Sequence, residues 1–519
     1  MSIKSAKILS GLLLVPVAIA SASDVSGAVA SAEGNSGSKV NNELNIQRIP
    51  SKEEWRNQVH YIEKFWLHPD ALGKMDPGEF PTWRCNNGNA VDGKECRIES
   101  LPKWVNGAQD ENYVRMISRQ TFAYGALFNL TGNPEHLIRH QAGVNFLMNK
   151  AKDPEGGFYS IFKDGTPVKN ARLSRTAQDM AYAVIGLSMN AYLTGDPEVL
   201  KTVAEARSYI YNTYYDDKQD LLLWVVKDSK EELRSQLELV AQLDQLNAYL
   251  LLTWRLVPEA DRKLWTNTIT HTVTMINRNF YDADKGIFIG SKNNPDTVNR
   301  HMDYGHRTKS FWLEYLVALG LDNQQLKNFA RDGMKRTLTA ALQPSQKNWY
   351  EINHDWDASW WVYAELDQSA LTLALTDDFI IPDTFRPLFD KYTDKEFGEW
   401  KFGHKAHFWR SGYHSTEHAL IGTILSDALR SKFCSTAECR SENETALYFA
   451  PQHPESMHYS PYLYSGDITG VQEETSANTA LINILNGNPV FKDVITFPKK
   501  NRIVRVTFNN VGLPKKVTL

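Results

Sequence analysis

The sequence predicts a mostly α-helical (α/α)6 barrel, six helical hairpins closed into a toroid, and three observations lead to it. Leu130-Thr131-Gly132-Asn133-Pro134 closes one helical stretch, and Leu193-Thr194-Gly195-Asp196-Pro197 closes another 63 residues on. An overlapping series of Asp-rich turns, Asp153 to Phe158, Asp217 to Leu222 and Asp282 to Phe288, recurs at spacings of 64 and 65 and leads each time into a short apolar strand. Apolar residues at helical periodicity mark twelve segments, which pair into six hairpins. An open solenoid of the same hairpins would need polar capping repeats, and no segment has that character.

Along the 519 residues, the chain opens with Lys4 and Lys7, an apolar run from Ile8 to Ala20, and then Ser21, Ala22 and Ser23. These are the basic, apolar and small-residue parts of a secretory signal. Residues 1–23 are therefore read as a signal peptide, with the mature, exported chain (periplasmic or secreted) starting near Asp24. Residues 24–45 are rich in Ser, Gly, Ala and Asn without periodicity, the composition of a disordered linker. The barrel is expected over 46–440, with helices at 51–67, 111–131, 135–150, 175–194, 198–214, 231–255, 259–278, 306–319, 323–341, 357–376, 380–392 and 413–430. Beyond it, Val490 to Phe497 and Ile503 to Phe508 have strand-like composition, so 441–519 reads as a β-rich extension packed on the barrel.

The formal charge of −4 becomes more acidic once Lys4 and Lys7 leave, which argues against nucleic acid or an anionic membrane as partner. The signal's apolar run is far shorter than a membrane span requires, and no later stretch is both long and uncharged. Fourteen Trp and 22 Tyr supply flat amphipathic rings, suited to sugar faces as well as to a core. Cys85 with Cys96, and Cys434 with Cys439, form two local pairs in a chain bound for an oxidising compartment, so two loop-stapling disulfides are expected. The wide Cys85–Cys96 gap is unlike a zinc site, and no metal is expected.

The inner helices begin near Arg119, Asp179, Asp244, His306, Trp360 and His414. Asp179, Asp244 and Lys309 are each 65 apart, and equivalent positions on parallel inner helices form a ring at one level. Polar residues near those helix starts should converge on one mouth. Three segments stand out there: Tyr304 to Leu313 with His306 and Lys309, Trp360 to Glu365, and Phe408 to Glu417 with Trp409, Tyr413 and His414. Imidazole has the side-chain pKa nearest neutrality, so two histidines facing one cavity can exchange protons with a sugar carbon or oxygen. A single histidine would more simply be structural; two at matching helix starts beside aromatics carry the functional reading.

At these residues the sequence resembles the N-acylglucosamine 2-epimerase superfamily, which includes cellobiose 2-epimerases, mannose isomerases and sulfoquinovose isomerases. Gly305-His306 with Trp312-Leu313 resembles that family's Gly-His-x-x-Glu-x-x-Trp-Leu. Trp360 to Glu365 is similar to its Trp-Trp-x-Gln-Ala-Glu, and Trp409 with Tyr413-His414 to its Trp-x-x-x-Tyr-His. Arg119-Gln120-Thr121-Phe122 and Asp179 to Ala183 match two further segments, so that the likeness runs from about 110 to 430. The resemblance implies an (α/α)6 barrel acting without metal or other cofactor. It further implies His306 and His414 as acid/base groups that take the C2 proton of an open-chain sugar and return it to C1 or C2. Arg119 would bind sugar and steady the enediolate. Substrate contacts are expected from Arg119, Asp244, Lys309, Trp360, Trp361, Glu365, Trp409 and Tyr413.

The departures concern charge. The family's Glu three residues after the first His is Lys309 here, its His-Met-His-Leu-x-Glu is Gln242 to Asn247 with Asp244 and Asn247 in place of a His and the Glu, and its Lys before the double Trp is Ala358. Lys309 could pair with Asp244 or bind an acidic sugar. Two other functions stay open on the same barrel. A glycan-cleaving enzyme could use two of Asp244, Asp355, Asp357, Glu365 and Glu417 as a hydrolase, or His306, Arg119 and Lys309 as a lyase. A non-catalytic sugar-binding envelope protein would keep the aromatic cleft alone. In each case the partner is a small carbohydrate or oligosaccharide.

Overall fold

The structure, a computed structural model, describes residues 44–518 except 74–75, 92–107, 169–174, 227–228, 295–300, 344, 346, 353–356, 377–378 and 488–501. The signal segment and all but the end of the linker lie outside the described residues. The linker's last two residues, Leu44 and Asn45, are already helical. Asn45 is buried, and its side chain bonds the main chain of Phe379 and Ile381, so the packed domain begins slightly earlier than composition suggests.

The repeated pentapeptide is the hairpin corner. Gly132 and Gly195 take left-handed φ of 66° and 67° and end helices α2 (Val114–Thr131) and α5 (Ile185–Thr194). A side chain at this φ is strained, which is why glycine recurs. The next residue, Asn133 or Asp196, caps the following helix through its side chain, and Pro134 or Pro197 occupies the first turn, where its missing N–H costs nothing. The outer helices α3 (Pro134–Asn149) and α6 (Pro197–Tyr214) start this way. The Asp-rich turns form the expected tiny hairpins, Tyr215–Asp216 with Leu221–Leu222 and Tyr281–Asp282 with Ile287–Phe288.

The inner ring runs α2, α4 (Ala177–Ala183) with α5, α7 (Leu239–Gln245), α9 (Tyr304–Leu321), α11 (Trp360–Ala374) and α12 (Tyr413–Ser431). Helix α12 packs back on α2 and closes the circle. Outside lie α3, α6, α8 (Glu259–Phe280), α10 (Gln324–Ala341), a short segment at Phe385–Tyr392, and α1 (Lys52–Trp66), which covers α12. The N-terminal helix thus completes the sixth hairpin. Six tryptophans, Trp55, Trp254, Trp265, Trp312, Trp349 and Trp400, are fully buried. The first five give their N–H to a side-chain oxygen, so much of the aromatic content serves the core.

Three expected helices are broken. The 175–194 segment kinks at Val184. The 231–255 segment splits into Glu231–Arg234 and α7, and a π turn at Leu246–Leu250 then leads into Leu251–Thr253. The 380–392 segment shrinks to Phe385–Pro387 and a π turn, because Pro382 and Pro387 deny it amide donors. In the extension, Val504–Gly512 is the central strand of an antiparallel sheet, flanked by Thr445–Phe449 and Ser465–Glu473. A helix at Thr475–Gly487 joins it, which makes the extension mixed rather than purely β. The expected strand at Val490 to Phe497 lies outside the described residues. No helix among the described residues is long and apolar enough to cross a membrane.

Candidate active site

His306 sits in the first turn of α9, whose cap is Asp303. One carboxylate oxygen of Asp303 accepts the His306 main-chain N–H at 2.8 Å, and the other lies 2.7 Å from the ring Nδ1. Burial alone would raise the Asp303 pKa, but His306 outweighs it and holds the carboxyl below its ordinary value. An ionised carboxylate can only accept, so Nδ1 carries the proton and Nε2 is left for exchange. The His306 ring packs 4.6 Å from Trp361 and 4.6 Å from His301. Gly305 permits this packing, since a Cβ there would lie 2.5 Å from the Trp361 ring.

His414 opens α12 and packs near the same indole, at 6.0 Å from Trp361 and 5.2 Å from Trp360. The helix start is held by Gln120, which accepts the Gly412 N–H, and by Glu399, which accepts from both Ser415 and Trp66. Arg119 Nη2 donates to His414 Nε2 at 2.8 Å. A guanidinium cannot accept, so this fixes the lone pair on Nε2 and the proton on Nδ1, which faces Glu365 Oε1 at 3.5 Å. Burial first, then the charges of Arg119, Lys309 and His306, push the imidazole pKa well below normal, and His414 is neutral at pH 7. Arg119 itself lies over the rings of both Tyr182 and Tyr413, 4.7 and 5.0 Å away.

Lys309 and Asp244 find each other. Their 3.1 Å pair joins α9 to α7 at 3% and 2% exposure. Asp244 also accepts from Gln178 at 2.7 Å and Tyr182 at 2.9 Å, while Lys309 Nζ lies 3.4 Å from the Tyr182 hydroxyl and 4.0 Å from Glu365. Although burial opposes both charges, Lys309 holds the Asp244 pKa down, and Asp244, Tyr182 and Glu365 hold the Lys309 pKa up. Glu365 is a buried carboxyl pushed up to about 8 by desolvation and by the nearby Glu417, against the pull of Lys309.

The structure therefore gathers Arg119, His306, Trp360, Trp361, Glu365 and His414, with Trp409, 49% exposed, at the rim where its carbonyl accepts from Arg119 at 3.4 Å. It places Asp244, Lys309 and Tyr413 differently from the expected substrate contacts. Tyr413 is fully buried and accepts from Asn247, and the Lys309 ammonium is engaged by protein carboxylates. Asp179 caps α4 reciprocally with Thr176 and pairs with Arg115 at 3.0 Å. Asp357 is tied to Lys391 and Tyr392, and Asp355 lies outside the described residues. Sequence reasoning missed Asp303, whose only signal was a helix-capping Asp three residues before the histidine. The Cys434–Cys439 disulfide is present. Cys85 is disulfide-bonded, while Cys96 lies outside the described residues.

The family profile of N-acylglucosamine 2-epimerase (GlcNAc 2-epimerase) matches residues 105–404, more than half the chain. The chain belongs to the N-acylglucosamine 2-epimerase family. Solved structures agree on the fold. Cellobiose 2-epimerase from Bacillus thermoamylovorans superposes with a TM-score of 0.57 at 15% identity, covering 71% of this chain and 97% of that one. A D-mannose isomerase gives 0.57 at 13%, covering 72% and 97%. Cellobiose 2-epimerase from Spirochaeta thermophila gives 0.54 at 17%, covering 77% and 100%. No curated protein matches the sequence. The family match and the solved structures agree on the barrel, and the carboxylate on His306 Nδ1 comes here from Asp303.

Proposed function

We propose that this epimerase-family member isomerises or epimerises a sugar at C2 by histidine-mediated proton transfer, without a cofactor. The observation that carries this reading is the pair of imidazoles, His306 and His414, both packed against Trp361, with Arg119 bonded to the second. Each has one ring nitrogen held by a partner that fixes its tautomer. In the proposed step, one imidazole takes the C2 proton of the open-chain sugar and the C–H electron pair moves toward C1, placing negative charge on the C1 oxygen. Arg119 stabilises that charge where it appears. Return of a proton to C2 from the opposite face gives the epimer, whereas return to C1, with the O2 proton passing to O1 so that C2 becomes the carbonyl, gives the ketose. Trp360, Trp361 and the exposed Trp409 offer apolar faces to the ring or chain.

Asp244 and Asp357 are engaged by cations and hydrogen bonds, which takes these two away from a hydrolase's acid and base. The Lys309 pairing likewise removes the ground for reading an acidic sugar at that residue. Export, read from the N-terminal pattern, would bring the enzyme to extracytoplasmic sugars or oligosaccharides.

Incubation with aldoses and β-linked disaccharides in D2O tests the proposal. Deuterium at C2 of recovered sugar is expected. New reducing ends without deuterium would mark a hydrolase, and an unsaturated product a lyase. His414→Ala should reduce exchange by about 10²-fold or more, the usual contribution of a positioned acid or base; unchanged exchange in that variant would remove His414 from the mechanism.

A further inference from the structure

The C-terminal extension reaches into the barrel. Its loop after Thr445–Phe449 is tied to the end of α5, where Ala450 and Gln452 donate to the carbonyls of Leu193 and Thr194. The Tyr192 hydroxyl then donates to Ser460 O at 2.8 Å and accepts from Tyr462 N at 3.0 Å. Beyond it, Tyr464 meets Thr372 on α11 at 2.8 Å. Between these anchors Tyr462 adopts φ of 54°, a left-handed conformation that a bulky residue keeps only where its surroundings over-determine it. The result is that its ring packs among Phe122, Tyr192 and the barrel interior, and its hydroxyl donates to Glu417 Oε1 at 2.8 Å. Glu417 lies three residues after His414 on α12, on the same helical face, and is 2% exposed.

We infer that Tyr462, supplied by the extension, is a positioning residue of the active site: its hydroxyl fixes the Glu417 carboxyl one turn after His414 on α12, and with it the surroundings in which the His414 ring meets Glu365 and Arg119. The inference rests on the acid/base reading of His414. The groups facing Glu417 are Tyr462 and Tyr413, with Lys309, Arg119 and Glu365 acting through their charges. Those facing Glu365 are Lys309, Glu417, Asp244, Arg119 and His414. Burial raises both carboxyls, and the Tyr462 hydrogen bond favours the ionised form of Glu417. Tyr462 lies beyond the residues that the family profile matches, so this support is a feature of the extension.

Tyr462→Phe removes only the hydroxyl. The Glu417 carboxyl then loses its fixed donor one turn from His414, and the field in which the His414 ring titrates changes with it. The His414 proton affinity should change about tenfold, one pKa unit, read by NMR titration of 13C-labelled histidine with the His414 signal assigned from its loss in His414→Ala. The acid limb of kcat/KM should move by the same interval. Tyr464→Phe, which loosens the neighbouring anchor without touching Glu417, should leave the titration in place. An unmoved titration in Tyr462→Phe, or an equal movement in Tyr464→Phe, would overturn the inference. If Tyr462→Phe does not fold, Glu417→Gln keeps an acceptor for Tyr462 but removes the titratable carboxyl, and must move the His414 titration or the inference fails. Absence of deuterium exchange in the wild type would instead defeat the isomerase reading, since the titration needs no turnover.

Discussion

Replacing Lys309 by Met breaks the ion pair that joins α9 to α7 and leaves Asp244 charged at 2% exposure. Removing one partner of a buried pair costs about 3–5 kcal/mol. Asp244 keeps its hydrogen bonds from Gln178 and Tyr182, so the loss should fall at the lower end, about 3 kcal/mol at pH 7. The sign with pH follows from linkage. Without Lys309, burial raises the folded-state pKa of Asp244 above its unfolded value, so the folded state binds the proton more tightly. Relative stability is then greatest below the unfolded pKa and declines as pH rises through the folded one. The penalty should therefore shrink between pH 7 and pH 5. The double variant Lys309→Met/Asp244→Asn keeps an acceptor for Gln178 and Tyr182 and removes the stranded charge, and should recover all but about 1 kcal/mol. Equilibrium urea unfolding followed by tryptophan fluorescence provides the measurement. A single variant that loses less than about 1 kcal/mol, or a double variant no more stable than the single, would refute the reasoning.

Asp303→Asn should retain the melting temperature, because Asn caps helices as well as Asp, yet lower kcat by about 10²-fold as the His306 tautomer is released; Asp303→Ala should lose both, which steady-state kinetics and thermal melts would separate. Gly305→Ala places a methyl 2.5 Å from the Trp361 ring, so a cost of about 1–3 kcal/mol and a raised KM are expected in melts and kinetics. N-terminal sequencing of exported protein should begin near Asp24, and Leu13→Lys, which interrupts the apolar run, should keep the chain unprocessed on an immunoblot.

The corners of the barrel were legible because local chemistry alone specifies them: Gly132 and Gly195 end helices, Asn133 and Asp196 begin the next, and Pro134 and Pro197 stand where no donor is needed. The ring level was legible too, since a 65-residue repeat brings Lys309 to Asp244. What escaped depends on tertiary contacts with no periodic signature. Asp303 reads as an ordinary cap until its second oxygen is seen on His306. Tyr462 comes from an irregular loop, and only the packed structure shows where its hydroxyl goes. The shortened outer segment at Phe385–Tyr392 reflects two prolines whose effect apolar periodicity overruled.

The altered charges around the site form a coherent exchange. The resembled family pattern has a His at position 244 and a Glu at position 309, where this chain has Asp244 and Lys309 paired at 3.1 Å, so the charge order of the two positions is inverted. Inversion removes the acceptor that the pattern places one turn after His306, and an acceptor is needed to fix which ring nitrogen holds the proton. Asp303 supplies it from the other side of the histidine, at the helix cap, where a carboxylate also satisfies a free amide donor. Restoring the family residue as Lys309→Glu should therefore not reinstate the usual arrangement. It would set a carboxylate against Asp244 and Glu365 in a buried site, and only the combination with Asp244→His relieves that repulsion. If the double exchange retains activity and then tolerates Asp303→Ala in kcat, while the parent does not, the two acceptors are interchangeable; continued dependence on Asp303 would show that its role goes beyond orienting the ring.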